Sequence, residues 1–309
     1  MSLNNLYDVC RLCPRDCNVN RNAGETGYCG ENSQLRFGYA GLHSGEEPPL
    51  KGTNGSGTIF VSGCNLRCYF CQNWQVSGGV SNKNVLGRVV STEDFISICL
   101  ELQEKGAANI NFVTGSHVVP AIIQNLEAAK KSGLKIPILW NSSAYENIKT
   151  LELLDGIVDI WLPDLKTLDS VLAEKIFNAG DYPKIASEAI LWMIKNKPGM
   201  VFIRHLIFPG FLESTRTVLH WFAENAAGGQ ISVMTQYTPI NIPGGNNTLM
   251  PERYVNEQEY ETVIGWLEEF GIEEGFCQEL DTGSDWLPDF NRKNPYSSEL
   301  SVPVWHYSC

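Results

Sequence analysis

From Gly57 onward, short apolar runs alternate along the chain with longer amphipathic stretches. The short runs are rich in β-branched and aromatic residues and apolar at nearly every position, which is typical of strands buried on both faces. The longer stretches repeat their apolar residues at the spacing of one helix face. The pattern predicts strands over residues 58–61, 110–114, 136–140, 157–162, 200–207 and 231–236, and helices over residues 92–105, 119–132, 182–196, 214–225 and 256–270.

Strands that alternate with helices predict a parallel sheet, so the expected fold class is α/β, a partial (β/α)6 barrel over residues 57–280. Ser91 and Asp94 give the first helix a start that resembles a capping box. Residues 1–56 are expected to form a cysteine-rich extension and lead-in, and residues 281–309 a tail packed on the barrel. Functional groups of such barrels lie at the C-terminal ends of the strands.

The composition narrows the class of protein. The 309 residues carry a net charge of −12 and no Lys/Arg run longer than two, which argues against a nucleic-acid partner. No apolar run approaches the roughly 18 residues of a membrane span, and residues 1–8 lack the pattern of a secretory signal. Ten cysteines without such a signal indicate reduced, metal-binding thiols in the cytoplasm.

Cys64, Cys68 and Cys71 carry the most specific signal in the chain. Their spacing is C-x3-C-x2-C, and they directly follow the first predicted strand. Three thiolates on one loop can ligate three irons of a [4Fe–4S] cube, whose usual complement is four. The fourth iron would stay open for an outside ligand, which indicates chemistry, whereas a closed cluster indicates electron transfer or structure. The alternative is that these cysteines are small buried hydrophobic residues.

The segment over residues 63–74 resembles the cluster motif of the radical S-adenosylmethionine (radical SAM) enzymes, including the aromatic Phe70 before the third cysteine. The resemblance implies that S-adenosylmethionine chelates the open iron. Its reductive cleavage would give methionine and a 5′-deoxyadenosyl radical that abstracts hydrogen. Further phrases are similar to a branch related to pyruvate formate-lyase activating enzyme, namely residues 45–49, 55–60, 159–166 and 236–239.

The loop after the second predicted strand departs from the family pattern. The resemblance places a Gly-Gly-Glu segment there, which binds the amino group of methionine, whereas this chain has Thr114, Gly115, Ser116 and His117. The hydroxyls or the imidazole could replace the missing carboxylate. Ser116 could instead be a simple helix N-cap.

Polar residues also follow the third, fourth and fifth predicted strands. Asn141 and Ser143 suit ribose hydroxyls or a carboxylate, or alternatively cap the next helix. The resemblance implies that Lys166 neutralises the methionine carboxylate and Asp164 orients it, although the two could be an ordinary ion pair. Arg204 could reach the cofactor, and His205 beside it must then point to the other face of the strand. By resemblance, the backbone at Phe70 helps to place the adenine.

A second cysteine set lies near the N-terminus. Cys10, Cys13, Cys17 and Cys29 have the spacing C-x2-C-x3-C-x11-C. Four thiolates suit a tetrahedral zinc ion or a second iron–sulfur cluster. Glycyl radical activating enzymes often carry ferredoxin-like clusters, which are inserted after the first cluster loop and not before it, and this difference favours a structural site.

These observations leave three hypotheses for the function. The first is a radical SAM oxidoreductase that resembles [formate-C-acetyltransferase]-activating enzyme and abstracts hydrogen from a glycine of a partner enzyme. The second is the same chemistry on a small molecule or peptide, and the third is a non-catalytic iron–sulfur or zinc protein. A flavodoxin or ferredoxin would supply the electron. Because such donors are acidic like this chain, docking would need a basic patch such as Lys130 and Lys131.

Overall fold

The computed structural model describes residues 2–81, 84–243, 250–280 and 283–309. The strands of this part are β1 (Arg36–His43), β2 (Ser56–Val61), β3 (Arg88–Val89), β4 (Ile110–Val113), β5 (Ile138–Ser142), β6 (Ile160–Pro163), β7 (Phe202–Leu206), β8 (Gln230–Met234), β9 (Gly275–Cys277) and β10 (Ser301–His306). The helices are α1 (Pro48–Lys51), α2 (Trp74–Ser77), α3 (Thr92–Glu104), α4 (Val119–Lys131), α5 (Ile148–Leu154), α6 (Ser170–Phe177), α7 (Tyr182–Asn196), α8 (Leu212–Asn225) and α9 (Glu257–Glu269).

The described strands form two sheets. The first has the order β10-β1-β2-β4-β5-β6, with β3 beside β1, and the second has the order β7-β8-β9. Pairing is parallel from β2 to β6 and from β7 to β9, whereas β1 is antiparallel to β2 and β10 is antiparallel to β1. The predicted α/β class with a parallel sheet is therefore confirmed.

The two sheets meet along a seam between β6 and β7. Two isolated parallel bridges make this seam, one between Trp161 and Val201 and one between Asp164 and Arg204. The seam continues the parallel order, so the strand ends after β2, β4, β5, β6, β7 and β8 share one side of the molecule. The described strands do not form a closed ring of hydrogen bonds.

Local signals explain where several helices begin. Ser91 accepts a hydrogen bond from the Asp94 backbone, and the Asp94 side chain accepts one in return, so the predicted capping box at α3 is present. Pro120 occupies the first turn of α4. The apolar faces of these helices pack on the sheet, where Phe95 of α3 stacks on Phe112 of β4 at 5.9 Å between ring centroids.

The opposite end of the sheet interior is closed by an apolar plug. Leu50 of α1 packs there against Leu139, Leu162 and Phe202. Leu139 and Phe202 lie near the first residues of β5 and β7, so the plug seals the N-terminal ends of the strands. A cavity can therefore open only towards the C-terminal strand ends or through the side of the molecule.

The structure adds elements to the six predicted strands. The strands β1, β9 and β10 enlarge the two sheets, and β10 places part of the C-terminal tail beside β1. The helices α5 and α6 also lie outside the predicted set. Among the described residues, no helix has both the length and the apolar character needed to cross a membrane.

Candidate iron–sulfur and cofactor site

The three clustered cysteines follow β2 and line a cavity of about 810 Å³. Gly63 turns the chain into this loop at φ +82°, and a Cβ there would lie 2.5 Å from Glu31 and 2.8 Å from the Cys29 carbonyl oxygen. Asn65 Nδ2 donates to the Tyr145 carbonyl at 2.6 Å and fixes the middle of the loop. The loop is therefore held by the N-terminal extension on one side and by the segment after β5 on the other.

The surroundings of the three thiols raise their pKa values. Burial, helped by the charge of Cys71, raises the pKa of Cys64 to about 12, and burial also raises the pKa of Cys68 and Cys71. The free thiols thus keep their protons, which a metal must displace. Among the described residues, no three Cys, His, Asp or Glu side chains converge to metal-binding distance. The fold places the three thiols in one cavity, and binding of a cluster would set their coordination geometry.

Most of the predicted strand-end residues line the same cavity: Phe70, Thr114, Asn141, Ser143, Asp164, Lys166 and Arg204. Thr114 has φ +62°, a rare conformation for a β-branched residue, and its backbone N–H donates to the Asn141 carbonyl at 2.8 Å. Ser143 Oγ is buried without a hydrogen-bond partner within the described part of the chain. An unpartnered hydroxyl on a cavity wall fits a polar ligand, so the residues present fit a bound cofactor.

Three other predicted residues turn away from this cavity. The Gly115 backbone packs against Trp140, because a Cβ at Gly115 would lie 2.6 Å from that ring. Ser116 Oγ donates to Glu146 Oε1 at 2.8 Å, and His117 Nε2 contacts the Ser62 carbonyl at 2.8 Å. Burial lowers the pKa of His117 to about 3, so its ring stays neutral. These side chains support the loop and do not reach the cavity.

Glu146 is a buried carboxylate that the sequence did not reveal. It accepts hydrogen bonds from Ser116 Oγ and Trp140 Nε1, both at 2.8 Å, and from Ser142 Oγ at 2.6 Å. Burial raises its pKa, and the three donors oppose that shift. Glu146 therefore ties the loop after β4 to the end of β5, the two segments that place Thr114 and Ser143 on the cavity wall.

Asp164 and Lys166 form a partly buried ion pair beside the cysteines. Lys166 Nζ lies 2.6 Å from Asp164 Oδ2 and 5.8 Å from the centroid of the Phe70 ring. Burial pulls the pKa of Lys166 down, but the charge and the hydrogen bond of Asp164 oppose it, and the pKa of this lysine lies above its usual value. Lys166 therefore stays cationic at the cavity wall.

Arg204 and His205 point to opposite faces of β7, as the strand alternation predicts. His205 is buried against the Leu165 carbonyl at 2.8 Å and Thr215 Oγ1 at 3.0 Å. Arg204 faces the cavity, where its guanidinium binds both Glu46 and Glu47. These two glutamates lie in the lead-in before α1, outside any strand end, which is why a rule based on strand ends could not find them.

The second cysteine set packs directly behind the cluster loop. The sulfurs of Cys17 and Cys29 both lie within 3.6 Å of the position that a Gly27 Cβ would take. Arg21 is buried beside this set and donates to Cys10 Sγ at 3.8 Å and to the His117 carbonyl. The N-terminal extension thus joins the cysteine set to the loop after β4.

The fold and site define an α/β protein with a three-thiol loop at the C-terminal end of a parallel strand. Residues 58–222, more than half of the chain, match the family model described as the radical SAM superfamily. The chain belongs to the radical SAM superfamily. Membership supports a [4Fe–4S] cluster and S-adenosylmethionine as cofactors and radical chemistry that needs a reductant.

The relatives agree with this assignment. The chain is 30% identical over 238 residues to the uncharacterized protein MJ0674 of Methanocaldococcus jannaschii, which covers 76% of this chain and 68% of that protein. The FeFe-hydrogenase maturase HydG from Carboxydothermus hydrogenoformans has a TM-score of 0.54 at 13% identity, over 74% of this chain and 54% of HydG. The chain thus spans about half the length of HydG, and this likeness shows the fold alone.

A weaker structural match concerns the branch. A domain of a pyruvate-formate lyase-activating enzyme from Bacteroides vulgatus has a TM-score of 0.38 at 15% identity, over 52% of this chain and 91% of that domain. A similarity of this size carries no argument about function. The match to the family model confirms the predicted superfamily.

Proposed function

We propose that this protein cleaves S-adenosylmethionine reductively and uses the resulting radical to abstract a hydrogen atom from a substrate in the cavity. The observation that carries the proposal is that the three thiols of the cluster loop and the polar strand ends line one cavity. When bound, the cluster and S-adenosylmethionine supply the electron transfer and the radical. The protein supplies ligands, orientation and exclusion of water.

The proposed roles follow from the side chains. Cys64, Cys68 and Cys71 hold the cluster. Lys166, kept cationic by Asp164, binds the methionine carboxylate. The unpartnered hydroxyl of Ser143 donates to the cofactor.

Further polar contacts support this arrangement. The side chains of Asn141 and Thr114 add hydrogen bonds at the ends of β5 and β4, and the backbone at Phe70 lies beside the adenine. The methionine carboxylate is assigned to Lys166 rather than to Arg204, because the guanidinium of Arg204 already pairs with two glutamates.

The chemistry can be tested without knowing the substrate. The protein is reconstituted anaerobically with iron and sulfide, reduced with dithionite and given S-adenosylmethionine, and 5′-deoxyadenosine is measured. Cys68→Ala is expected to abolish the product, whereas Cys309→Ala, at an exposed cysteine, should leave it unchanged. Absence of 5′-deoxyadenosine from the reconstituted wild type would contradict the proposal and favour a non-catalytic iron–sulfur or zinc protein.

The proposed hydrogen donor is a small molecule. The plug around Leu50 closes the sheet interior, and the tail residues Trp286, Pro288 and Tyr296 line the cavity from the side. A cavity of about 810 Å³ accommodates a cofactor and a small substrate. The other candidate, a glycine of a partner enzyme, rests on the resemblance of the sequence phrases to the activating enzymes. A glycyl radical detected in a co-purified partner by electron paramagnetic resonance would favour it.

The electron donor is proposed to dock on the outer face of the cluster loop. Lys130 and Lys131 cannot serve, because α4 starts at the C-terminal end of β4 and carries them roughly 20 Å back towards the opposite end of the sheet. Arg67 lies between the clustered cysteines, and its guanidinium stacks on Tyr28 at 3.9 Å. Arg15 stacks on the same ring at 3.9 Å.

The charge of this stack suits an acidic partner. Within the described part of the chain, neither Arg15 nor Arg67 forms an ion pair with a carboxylate. Asp16, the nearest acid in sequence, pairs with Arg11 at 3.4 Å. Arg15 Nε also donates to the Asn65 carbonyl, next to Cys64, at 2.8 Å. An acidic one-electron carrier such as a flavodoxin or ferredoxin would be attracted here despite the net charge of −12.

The N-terminal cysteine set is proposed to hold a second metal. Its four thiols suit either zinc or iron–sulfur, and its position behind the cluster loop suits a structural support. Zinc and iron content of the purified protein, measured before and after Cys13→Ser, separates these options. Loss of zinc alone would identify a structural zinc site, loss of iron an auxiliary cluster, and no change in either metal would contradict the second site.

A further inference from the structure

The cavity continues past the proposed cofactor residues to a charged floor formed by Glu46, Glu47 and Arg204. Asn111 contacts this floor from β4, three residues before Thr114, and therefore lies deeper in the sheet than the strand ends. None of the proposed cofactor contacts uses Glu46 or Glu47. A substrate placed here would lie directly beneath the cofactor.

The floor carries more negative than positive charge. Arg204 binds Glu47 through two parallel hydrogen bonds of 2.7 and 2.6 Å and contacts Glu46 with the same guanidinium. Burial raises the pKa of Glu47, but Arg204 more than offsets it and holds that pKa below its usual value. Lys51 lines the same cavity and forms no ion pair with either carboxylate within the described ranges. Two carboxylates therefore share one guanidinium.

Unused hydrogen-bonding capacity lies at the same place. Asn111 is fully buried, and its Nδ2 donates to Glu46 Oε1 at 2.9 Å, while its Oδ1 has no partner in the described part of the chain. Nδ1 of His43, which lines the cavity, is likewise buried without a described partner. Because His43 lines the cavity, its unpartnered ring nitrogen is open to hydrogen bonding by a ligand, whereas the fully buried Asn111 only supports Glu46 from behind.

A purely structural role explains less. The ion network does connect the lead-in with β7 and so holds Leu50 in the apolar plug. One carboxylate would be enough for that purpose. The second carboxylate and the unpaired His43 nitrogen, both on the cavity wall, are the features that a ligand would account for.

We propose that this floor binds a positively charged, N–H-donating group of a small substrate, a primary ammonium or a guanidinium. The proposal rests on the proposed function, because it assigns the substrate class of the same site. The cation would balance Glu46 and donate to the unpartnered Nδ1 of the neutral His43 ring. The carbon chain of the substrate would then extend towards the cofactor, where its hydrogen is taken.

Three probes with the same four-carbon chain test the charge preference: n-butylammonium, butyrate and 1-butanol. Binding of each is measured by titration calorimetry on the reconstituted protein with saturating S-adenosylmethionine, so that the cofactor itself cannot fill the floor. We expect n-butylammonium to bind about tenfold tighter than the other two. Equal affinities, or a preference for butyrate, would overturn the proposal.

Glu46→Gln removes the excess charge and keeps the shape of the side chain. We expect it to weaken n-butylammonium about tenfold while S-adenosylmethionine binds as before, with the exposed Glu127→Gln as the matched control. Unchanged n-butylammonium affinity in a folded Glu46→Gln protein also contradicts the proposal. If that variant does not fold, the comparison of probes on the wild type decides alone. Failure of S-adenosylmethionine to bind the wild type would instead count against the proposed function.

Discussion

Two neighbouring serines after β5 differ in what their hydroxyls contact. The Ser142 hydroxyl donates to the Glu146 carboxylate at 2.6 Å, so its hydrogen is already used at the end of β5. Ser143 Oγ is buried on the cavity wall, with no partner in the described ranges. Leaving a buried hydroxyl unpaired costs about 1–3 kcal/mol. Ser143 is therefore the residue whose bonding should improve most when the cofactor binds.

Replacing Ser143 by alanine tests this difference. We expect Ser143→Ala to raise the dissociation constant of S-adenosylmethionine about fivefold, because one hydrogen bond of about 1 kcal/mol is lost. Equilibrium dialysis with labelled S-adenosylmethionine measures the change. Ser187→Ala is the control, since that hydroxyl donates to the Pro183 carbonyl within α7. A dissociation constant unchanged by Ser143→Ala would refute this role.

The sequence predicted individual site residues where one rule applied and failed where two competed. The rule that polar strand ends share one side placed Asn141, Ser143 and Asp164 on the cavity wall. It does not account for Ser116, because the carboxylate that its hydroxyl binds, Glu146, is 30 positions away. The spacing of residues in the sequence does not show which of two possible partners a hydroxyl group will bind.

At the scale of elements, the missed strands share weak local patterns. Strand β9 has three residues, too few to show any periodicity. Strand β10 carries Pro303, which is tolerated because β10 lies at the sheet edge. Strand β1 is interrupted by Gly38 and Gly41, and tertiary pairing with β2 decides its conformation. The strands buried on both faces were predictable because their apolar pattern does not depend on partners.

His205 of β7 makes the free energy of unfolding depend on pH. Burial lowers the pKa of His205 to about 4, below the unfolded value of 6.5. Between these values the unfolded chain binds the extra proton, so this contribution to stability is present above about pH 6.5 and is lost as the pH falls towards 4.

A variant isolates this contribution. From about pH 7.5 to about pH 5.5 the wild type should lose about 1 kcal/mol more of its free energy of unfolding than His205→Gln. Urea titrations at the two pH values measure it, and His220→Gln, at an exposed histidine, is the control. Equal losses in wild type and His205→Gln would show that the ring is not held neutral.

At the scale of the whole molecule, the protein is acidic, so the two cations Arg15 and Arg67 that stack on Tyr28 become important for docking of an acidic electron donor. We expect Arg67→Gln to lower the ratio of flavodoxin-driven to dithionite-driven 5′-deoxyadenosine formation about fivefold, because a docking charge acts mainly on association. Lys130→Gln is the control at the far end of α4. The difference should shrink as salt is added. A ratio that does not change would place the donor elsewhere.

The seam between the two sheets has a consequence for how the molecule opens. Among the described strands, two isolated bridges join the sheets across it, Trp161 with Val201 and Asp164 with Arg204, whereas four residue pairs join β5 to β6. Their hydrogen bonds include those from the Trp161 N–H to the Met200 carbonyl at 2.9 Å and from the Leu165 N–H to the Arg204 carbonyl at 2.8 Å. A junction with so few bonds can separate at a lower free energy than either sheet unfolds. The cavity has Asp164 on one side of the seam and Ser232 on the other, so a bound ligand contacts both sheets and opposes their separation. Amide hydrogen exchange along the seam should therefore slow when the cavity is filled.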